Sequence, residues 1–380
     1  MNIAAASTKF VAPVDQAQIL RGGVEVIDAL ADEWRALCES SSYNEPFYRP
    51  EWITAYFKAF APVGQLTIAT VRRAGRLVAV LPLIKETGML GGIPTRKLRS
   101  AGNTHTCRCE LVHDDRAADE AIPALWAALI RERGWDVLVL ENVPVGGGLE
   151  RLANYASSAG YSTHRIPALS PPYLDLTDPP VGFDHLLGRL DAKFRANLRR
   201  RMRKLAARGP LTAVETCQVD GSLRRFYELE RAGWKGTQKS AIDCEESTRA
   251  FYDAVAAAAT RYGYFSLRAL QSGGAAVAMF FGLTHNNRFF LVKTAYDEGL
   301  REFSPGQLLM HEVLRDLSSR NCREFDFLGG SLDWKQDWLP SLRHLNNIHV
   351  FRGVAGRAIH TIRFRLSPTF VRAMRRARGT

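Results

Sequence analysis

Residues 289–338 combine the residue types and spacing best suited to chemistry. An apolar segment leads into a loop, and Ser304, Pro305 and Gly306 then open an amphipathic helical pattern. The first turn of a helix carries unpaired N–H groups and the positive end of the helix dipole, so it can bind phosphate or pyrophosphate. Gly306 would let such a ligand approach the backbone closely. The same residues also fit an ordinary helix start, with Ser304 as N-cap and Pro305 in the first turn.

A single carboxylate lies in the short apolar segment that follows. Asp326 is flanked by Phe325 and Phe327 and is followed by Gly329 and Gly330. Burial between phenylalanines would raise the pKa of this carboxyl towards the range that suits a general base. The alternative is an aspartate that caps a helix or ties a loop.

Hydrophobic periodicity predicts the elements that must position these residues. The predicted helices are 25–40, 50–60, 117–133, 183–208, 222–234, 246–262 and 306–320. The predicted strands are 65–71, 76–84, 136–141, 211–219, 264–270, 275–283, 288–296 and 324–328, with Pro82 suggesting a sheet edge or a bulge. Helices and strands interleave in a similar order in both halves, which predicts an α/β fold with mixed sheets and a duplicated unit.

A cluster of five prolines between residues 165 and 182 predicts the junction between the two halves. The predicted organisation is a flexible N-terminus (1–22), a first domain (23–166), a second domain with the active site (183–350) and a basic amphipathic tail (351–380). The first domain has no equivalent of the Ser-Pro-Gly sequence. We therefore expect it to be structural and to shape the cleft.

The spacing of motif residues between 296 and 338 resembles a known family. The run Tyr-Asp-x5-Phe-Ser-Pro-Gly-Gln-Leu-Leu-x16-Asp-Phe-Leu-Gly-Gly-x4-Lys-x2-Trp is similar to the CelD/BcsL-type acetyltransferases of the GNAT superfamily, which are named for cellulose and exopolysaccharide biosynthesis loci. Further similarity occurs at 46–52, 81–83, 193–200 and 234–236, so the resemblance covers roughly 25–350. It implies two tandem GNAT-like units, as in the FemABX transferases. The chain departs from the usual GNAT phosphate-binding signature in having one glycine where two are common.

This resemblance implies N-acyl transfer, in which an amine attacks an activated acyl group, with acyl-CoA as the expected donor. The donor's pyrophosphate and pantetheine arm would be held by Phe303, Ser304, Pro305, Gly306, Gln307 and Leu308. Asp326 would be the base, Tyr296 the acid that protonates the leaving thiolate, and Lys335 a cation for an oxyanion or an anionic acceptor. For Tyr296 and Lys335 the alternatives are a structural tyrosine and a solvated lysine.

The acceptor side of the site is expected to include two tryptophans and a basic helix. Trp338 would wall the pocket, or else belong to the core, and Trp234 and Lys235 lie where the family has a Trp-Lys-Gly motif. Arg195 and Arg199 belong to the predicted helix 183–208 and would bind an anionic acceptor. The alternative for that helix is a core-packed face with a solvated basic face.

Two basic segments account for the net charge of +12. Residues 184–208 carry +7 and residues 351–380 carry +8, whereas the rest of the chain sums to −3. The tail mixes its arginines with apolar residues, which suits adsorption to an anionic membrane surface, and nucleic acid is the less favoured partner. No export signal is recognisable, the longest apolar stretch (275–283) is too short to span a bilayer, and the six cysteines show no disulfide spacing. These features predict a cytoplasmic protein, with peripheral attachment to the membrane as an option.

Other catalytic motifs are weak or missing from the sequence. His105, Cys107, Cys109 and His113 offer metal-binding side chains, but their spacing matches no structural zinc motif, and we expect no metal. Neither the nucleophile elbow Gly-x-Ser-x-Gly nor the dinucleotide fingerprint Gly-x-Gly-x-x-Gly occurs.

Three functions therefore remain open. The first is transfer of an acetyl or acyl group from acyl-CoA to a primary amine, which the family name places on an envelope or exopolysaccharide precursor sugar. The second keeps the chemistry and transfers a long fatty acyl chain to a lipid amine, as in ceramide synthesis. The third is an inactive GNAT scaffold that binds an anionic regulator such as a cyclic dinucleotide.

Overall fold

The computed structural model describes residues 14–61, 66–90, 92–177 and 182–366. Two mixed sheets are surrounded by helices, as the α/β prediction requires. The strands are β1 (Val14–Gly22), β2 (Leu66–Arg73), β3 (Arg76–Leu90), β4 (Ile93–Ser100), β5 (Val112–His113), β6 (Val137–Pro144), β7 (Ser162–Pro167), β8 (Pro172–Asp175), β9 (Leu211–Thr216), β10 (Phe265–Ser272), β11 (Ala275–His285), β12 (Arg288–Tyr296), β13 (Glu324–Asp326), β14 (Ser341–Leu342) and β15 (Leu345–Phe351). The α-helices are α1 (Val24–Ser40), α2 (Pro50–Phe60), α3 (Ala118–Arg131), α4 (Gly148–Ser158), α5 (Phe183–Arg189), α6 (Ala192–Ala206), α7 (Gly221–Ala232), α8 (Trp234–Thr237), α9 (Glu246–Arg261), α10 (Pro305–Ser319), α11 (Asp333–Gln336) and α12 (Gly353–His360).

The first sheet has the order β1-β2-β3-β4-β6-β15-β7, with β5 paired to β3. Only β4 and β6 run parallel; the other neighbours are antiparallel. Its strands alternate between two cores, since Ile68 faces the core with α1 and α2, whereas Ala69 faces the core with α3 and α4. Burial on both faces explains the continuous apolar run of β3 at 77–84.

The second sheet has the order β14-β8-β13-β12-β11-β10-β9, and β12 and β13 form its parallel pair. Helix α10 covers one face through apolar residues at helical spacing, including Leu309, Val313 and Leu317. Helices α7 and α9 cover the other face in the same core that holds α1 and α2. Trp52 of α2 meets Phe251 of α9 edge to face, with ring centroids 5.2 Å apart. The two halves of the chain therefore share one hydrophobic core.

Several predicted boundaries differ from the structure. Residues 14–22, predicted as part of a flexible terminus, form the edge strand β1 on β2. Strand β15, predicted within the second domain, lies in the first sheet between β6 and β7. The predicted helix 183–208 is two helices, because Asp191 ends the first stretch and caps α6 by accepting from the N–H of Phe194 at 2.8 Å. The division into two domains itself stays a prediction.

Two further expectations concern Pro82 and the basic tail. Pro82 lies inside β3, buried, at the point where pairing to β5 stops and pairing to β4 begins, so the sheet-edge interpretation is wrong. The first residues of the tail fold onto the first sheet, where Ile359 is buried and Phe364 packs against the same cluster. Attachment of the tail to a membrane stays a prediction. Residues 367–380 lie outside the described part of the chain. Within the described ranges no helix is long and apolar enough to cross a bilayer.

Candidate functional site

A cleft opens where β12 and β13 separate. The parallel pairing joins residues 288–290 of β12 to Glu324–Asp326. Residues 291–296 continue along β11, and no strand among the described residues pairs with their other side. The register with β11 shifts so that Val292 is the extra residue of a bulge. A cavity of about 670 Å³ lies along this free edge. It is lined by β12, the start of α10, the turn after β13, helix α9 and the loop 104–107 of the first half.

The first turn of α10 faces this cleft without a side-chain cap. Ser304 has left-handed backbone geometry (φ 48°), and its side chain makes no capping hydrogen bond. Nothing lies within 4 Å of the position where a Cβ would project from Gly306, so this part of the turn is open. The alternative in which the Ser304 side chain caps the helix is therefore wrong. The arrangement leaves room for an anionic ligand at the positive end of the helix.

The six residues predicted to hold the donor divide into two groups. Ser304, Pro305, Gly306 and Gln307 line the cleft. Phe303 and Leu308 do not line it; both are buried in the core beneath α10. Their contribution is to anchor the helix start.

Gln307 and Trp338 connect the helix start to the loop 332–338. The Gln307 side chain donates to the carbonyl of Trp334 at 3.0 Å and to the Asp337 carboxylate at 3.2 Å. Its own carbonyl oxygen accepts from the indole N–H of Trp338 at 2.6 Å. Trp338 is fully buried, with its ring 5.5 Å from that of Phe194. The prediction that Trp338 walls the pocket is therefore not supported, and its position fits the core alternative.

Asp326 is placed away from the cleft, in a buried ion network. Its carboxylate accepts from the backbone N–H of Leu328 at 2.9 Å and from the guanidinium of Arg108. Arg108 is 1% exposed and also donates to Glu45 at 2.6 Å. The carboxylate thus ties the turn after β13, in which Leu328 and Gly329 have positive φ. This geometry favours the loop-tying alternative over the predicted role of base.

Lys335 holds the same turn from the other side. Its ammonium donates to the carbonyls of Leu328 at 2.7 Å, Gly330 at 2.9 Å and Phe327 at 3.4 Å. Burial lowers its pKa to about 8. Although Lys335 lines the cleft, its donors are already used by backbone carbonyls. Lys335 is therefore neither a solvated lysine nor a cation that is free to bind an oxyanion.

Tyr296, Trp234 and Lys235 all line the cleft, as predicted for site residues, while their roles stay predictions. Lys235 is held by Glu230 at 2.8 Å and by the carbonyl of Thr294 on β12 at 2.6 Å. Trp234 is 46% exposed at the cleft mouth. Arg195 and Arg199 do not line this cleft; they belong to α6, where Arg199 is exposed.

Three further cleft residues come from elements that sequence reasoning did not connect. Lys293 of β12, Tyr252 of α9 and His105 of the first half meet here. The Lys293 ammonium lies 5.4 Å from the centre of the Tyr252 ring, and the Tyr252 hydroxyl lies 3.2 Å from Nδ1 of His105. The sequence signal for Lys293 was a charged residue directly after the apolar run 289–292.

The electrostatics of these groups follow from burial. Burial lowers the pKa of Lys293, and the Lys235 ammonium nearby lowers it further. Burial also lowers the pKa of His105 to about 4 and raises that of Cys107 to about 11. No carboxylate of the described residues forms an ion pair with Lys293, although Glu230 pairs with the neighbouring Lys235. Lys293 is therefore an amine that gives up its proton more easily than an exposed lysine.

The residues considered for zinc lie in different surroundings. His105 and Cys107 line the cleft, whereas His113 is buried beside Tyr43. Among the residues that the structure describes, no group of three or more His, Cys, Asp or Glu side chains could hold a metal ion.

Comparison with known proteins places this cleft in a familiar domain. Residues 192–336 match the family model described as an acetyltransferase (GNAT) domain. This part of the chain is similar to GNAT acetyltransferase domains. The open edge of β12, the start of α10 and the turn after β13 all lie within it. GNAT domains use acyl-CoA as co-substrate, so the domain supports an acyltransferase activity.

Solved structures support the fold of the whole chain. FemX is 13% identical, with a TM-score of 0.62 over 87% of this chain and 98% of that chain. The C-terminal domain of a putative lysylphosphatidylglycerol synthetase from Agrobacterium fabrum is 12% identical (TM-score 0.51; 88% and 95% covered). L-PGS from Bacillus licheniformis is 11% identical (TM-score 0.50; 87% and 95% covered). The predicted fold of tandem GNAT-like units is confirmed, whereas the narrower CelD/BcsL-type resemblance is not. No curated protein sequence matches the chain.

Proposed function

We propose that the protein is an N-acyltransferase that transfers an acyl group from acyl-CoA to a primary amine. The observation that carries this proposal is the free edge of residues 291–296 beside the uncapped first turn of α10. A free strand edge can pair with the two amide groups of a pantetheine arm as it would with an added strand. The helix turn beside it can bind the pyrophosphate. Arg301, exposed at the cleft mouth, adds a cation near the same turn.

The reaction requires proton transfer at two atoms. The acceptor amine forms a bond to the acyl carbon and loses a proton, while the carbon–sulfur bond breaks and the thiolate takes up a proton. We assign Lys293 as the group that accepts the amine proton, because burial and Lys235 favour its neutral form. We assign Tyr296, at the end of the free strand edge, as the proton donor to the thiolate.

For the acceptor, we propose an amino sugar of an envelope or exopolysaccharide precursor, a choice that rests on the resemblance in sequence. A specific observation supports the second candidate, a long acyl chain on a lipid amine. Several apolar side chains contribute to the cleft lining, among them Leu291, Val292, Phe327, Leu328 and Leu332. A hydrocarbon chain could be buried against them.

The first experiment measures binding of acetyl-CoA and palmitoyl-CoA to the purified protein by calorimetry. We compare Gly306→Trp, which would fill the turn, with Gly306→Ala, whose Cβ would project into open space. Binding that survives in the alanine variant and disappears in the tryptophan variant supports the donor site. Absence of binding to either thioester contradicts the proposal and favours the inactive scaffold.

The acceptor is then identified by the transferred acyl group. Glucosamine and sphinganine are incubated with each thioester, and products are detected by mass spectrometry. Acylated glucosamine supports the sugar proposal, and N-palmitoyl sphinganine alone supports the lipid candidate. Donor binding with hydrolysis of the thioester but no acylated amine contradicts both.

A further inference from the structure

Helix α6 carries an unusual concentration of positive charge. Seven of its 15 residues are lysine or arginine and none is acidic. They are Lys193, Arg195, Arg199, Arg200, Arg201, Arg203 and Lys204, and all but Arg195 and Arg201 are exposed. The apolar side of the helix, with Leu198 and Leu205, is buried in the core of the second half. The charged side therefore faces outward.

The cations of α6 form no ion pair with the described part of the chain. In the part of the chain that the structure describes, no carboxylate lies within ion-pair distance of any of the seven, whereas Arg224 and Arg225 on the neighbouring helix both pair with Glu228. Burial raises the pKa of Asp337, and the positive charge of Arg201 partly offsets this increase. Mutual repulsion among the α6 cations would be relieved by an anionic partner from outside.

Exposed apolar side chains adjoin the basic helix. Leu339 and Leu342 are 55% and 44% exposed in the segment that follows Trp338, whose ring packs on Phe194 of α6. Leu332 is 55% exposed and lines the cleft mouth together with Trp234. We call α6 and residues 332–342 together the α6 surface. A patch that combines free cations with exposed leucines marks an interaction surface.

We propose that the α6 surface docks on an anionic lipid bilayer and turns the mouth of the cleft towards the membrane. Cations attract the acidic headgroups, and the exposed leucine side chains enter the boundary between headgroups and acyl chains. Nucleic acid would use the cations but would leave Leu332, Leu339 and Leu342 in water. This proposal does not depend on acyl transfer, since the side chains it tests, Arg200, Arg203, Leu339 and Leu342, do not line the cleft.

The test is co-sedimentation of the full-length protein with lipid vesicles. Vesicles of equal parts phosphatidylglycerol and phosphatidylcholine are compared with vesicles of phosphatidylcholine alone. The variant R200Q/R203Q should bind the anionic vesicles about 30-fold more weakly, because each cation near such a surface contributes about fivefold. The matched control R116Q/R133Q removes two exposed arginines at the ends of α3 and should bind as the unmodified protein does.

A second variant tests the apolar part of the α6 surface. L339S/L342S changes only exposed side chains, so the fold should be kept, and thermal melting verifies this. It should lose the fraction of binding that resists high salt. Equal binding to neutral vesicles, or R200Q/R203Q binding as tightly as the unmodified chain, would overturn the proposal. Binding of a tRNA probe through α6 without vesicle binding would also overturn it, in favour of nucleic acid.

Discussion

The guanidinium of Arg108 donates to the carboxylate of Asp326, and both side chains are 1% exposed. The pair joins the irregular loop of the first half to the last strand before the cleft turn in the second half. Glu45 completes the arrangement by accepting from both Arg108 and Arg288. The shape of the donor cleft is therefore maintained by a residue 218 positions away in sequence.

Removing Arg108 should destabilise the whole protein. Arg108→Met leaves Asp326 and Glu45 buried without their main partner, and we expect the free energy of unfolding to fall by about 3–5 kcal/mol. Urea denaturation measures this. Arg116→Met removes an exposed arginine and serves as the control, with a change of less than about 0.5 kcal/mol. An Arg108 variant as stable as the control would show that the pair contributes nothing.

Substitutions of Lys293 should separate a proton-accepting role from a purely electrostatic one. Lys293→Met removes the amine, and we expect kcat to fall by about 10²- to 10⁴-fold. Lys293→Arg keeps the positive charge but cannot lose a proton, so it should be similarly impaired. In the unmodified protein kcat should rise with pH towards a pKa below the usual 10.5 of lysine, because burial lowers it. Full activity of the arginine variant would instead indicate that Lys293 binds an anion.

Lys335→Met should affect both the turn and the use of the donor. The substitution leaves the carbonyls of Leu328 and Gly330 without their donor, at a cost of about 1–3 kcal/mol in unfolding free energy. Because the turn lines the donor cleft, KM for acyl-CoA should rise more than kcat falls. Steady-state kinetics and urea denaturation test the two effects. A lowered kcat with unchanged KM would point to direct participation of Lys335 in the reaction.

Glu110 should make stability depend on pH. Burial raises its pKa from 4.5 to about 8, so the folded protein keeps a proton that the unfolded chain has lost. Its contribution is fully present below pH 4.5 and is lost as pH rises through 8. Glu110→Gln cannot ionise and should be more stable than the unmodified chain at pH 8, by roughly 4 kcal/mol. At pH 4 the difference should vanish. Parallel stability curves for the two proteins would contradict this prediction.

The hydrophobic pattern and the turn residues were sufficient to predict the strands and the helix around the proposed donor site. Alternation in residues 264–296 predicted the meander β10–β12, and the Ser-Pro-Gly sequence predicted where α10 begins. In these segments the side-chain periodicity and the turn residues agree, and each element forms from contacts close in sequence.

Contacts between residues far apart in sequence explain why the surroundings of several site residues differ from those expected. Asp326 reads as an isolated carboxylate in an apolar strand, since nothing near it in sequence reveals Arg108. Trp338 was expected to line the pocket. Its ring packs instead on Phe194, and a contact between residues so far apart in sequence cannot be predicted from local residue spacing. His105 and Lys293 reach the same cleft from different halves, so only the folded chain brings them together.

The position of β15 has a consequence for how the chain is made. This strand lies between β6 and β7, and among the described strands β7 pairs with β15 alone. A nascent chain that has emerged only as far as residue 340 therefore lacks the strand that joins β7 to the rest of its sheet. The first sheet can therefore be completed only after the second half of the chain has been synthesised. The two halves, although they resemble each other, are expected to reach their native state as one cooperative unit.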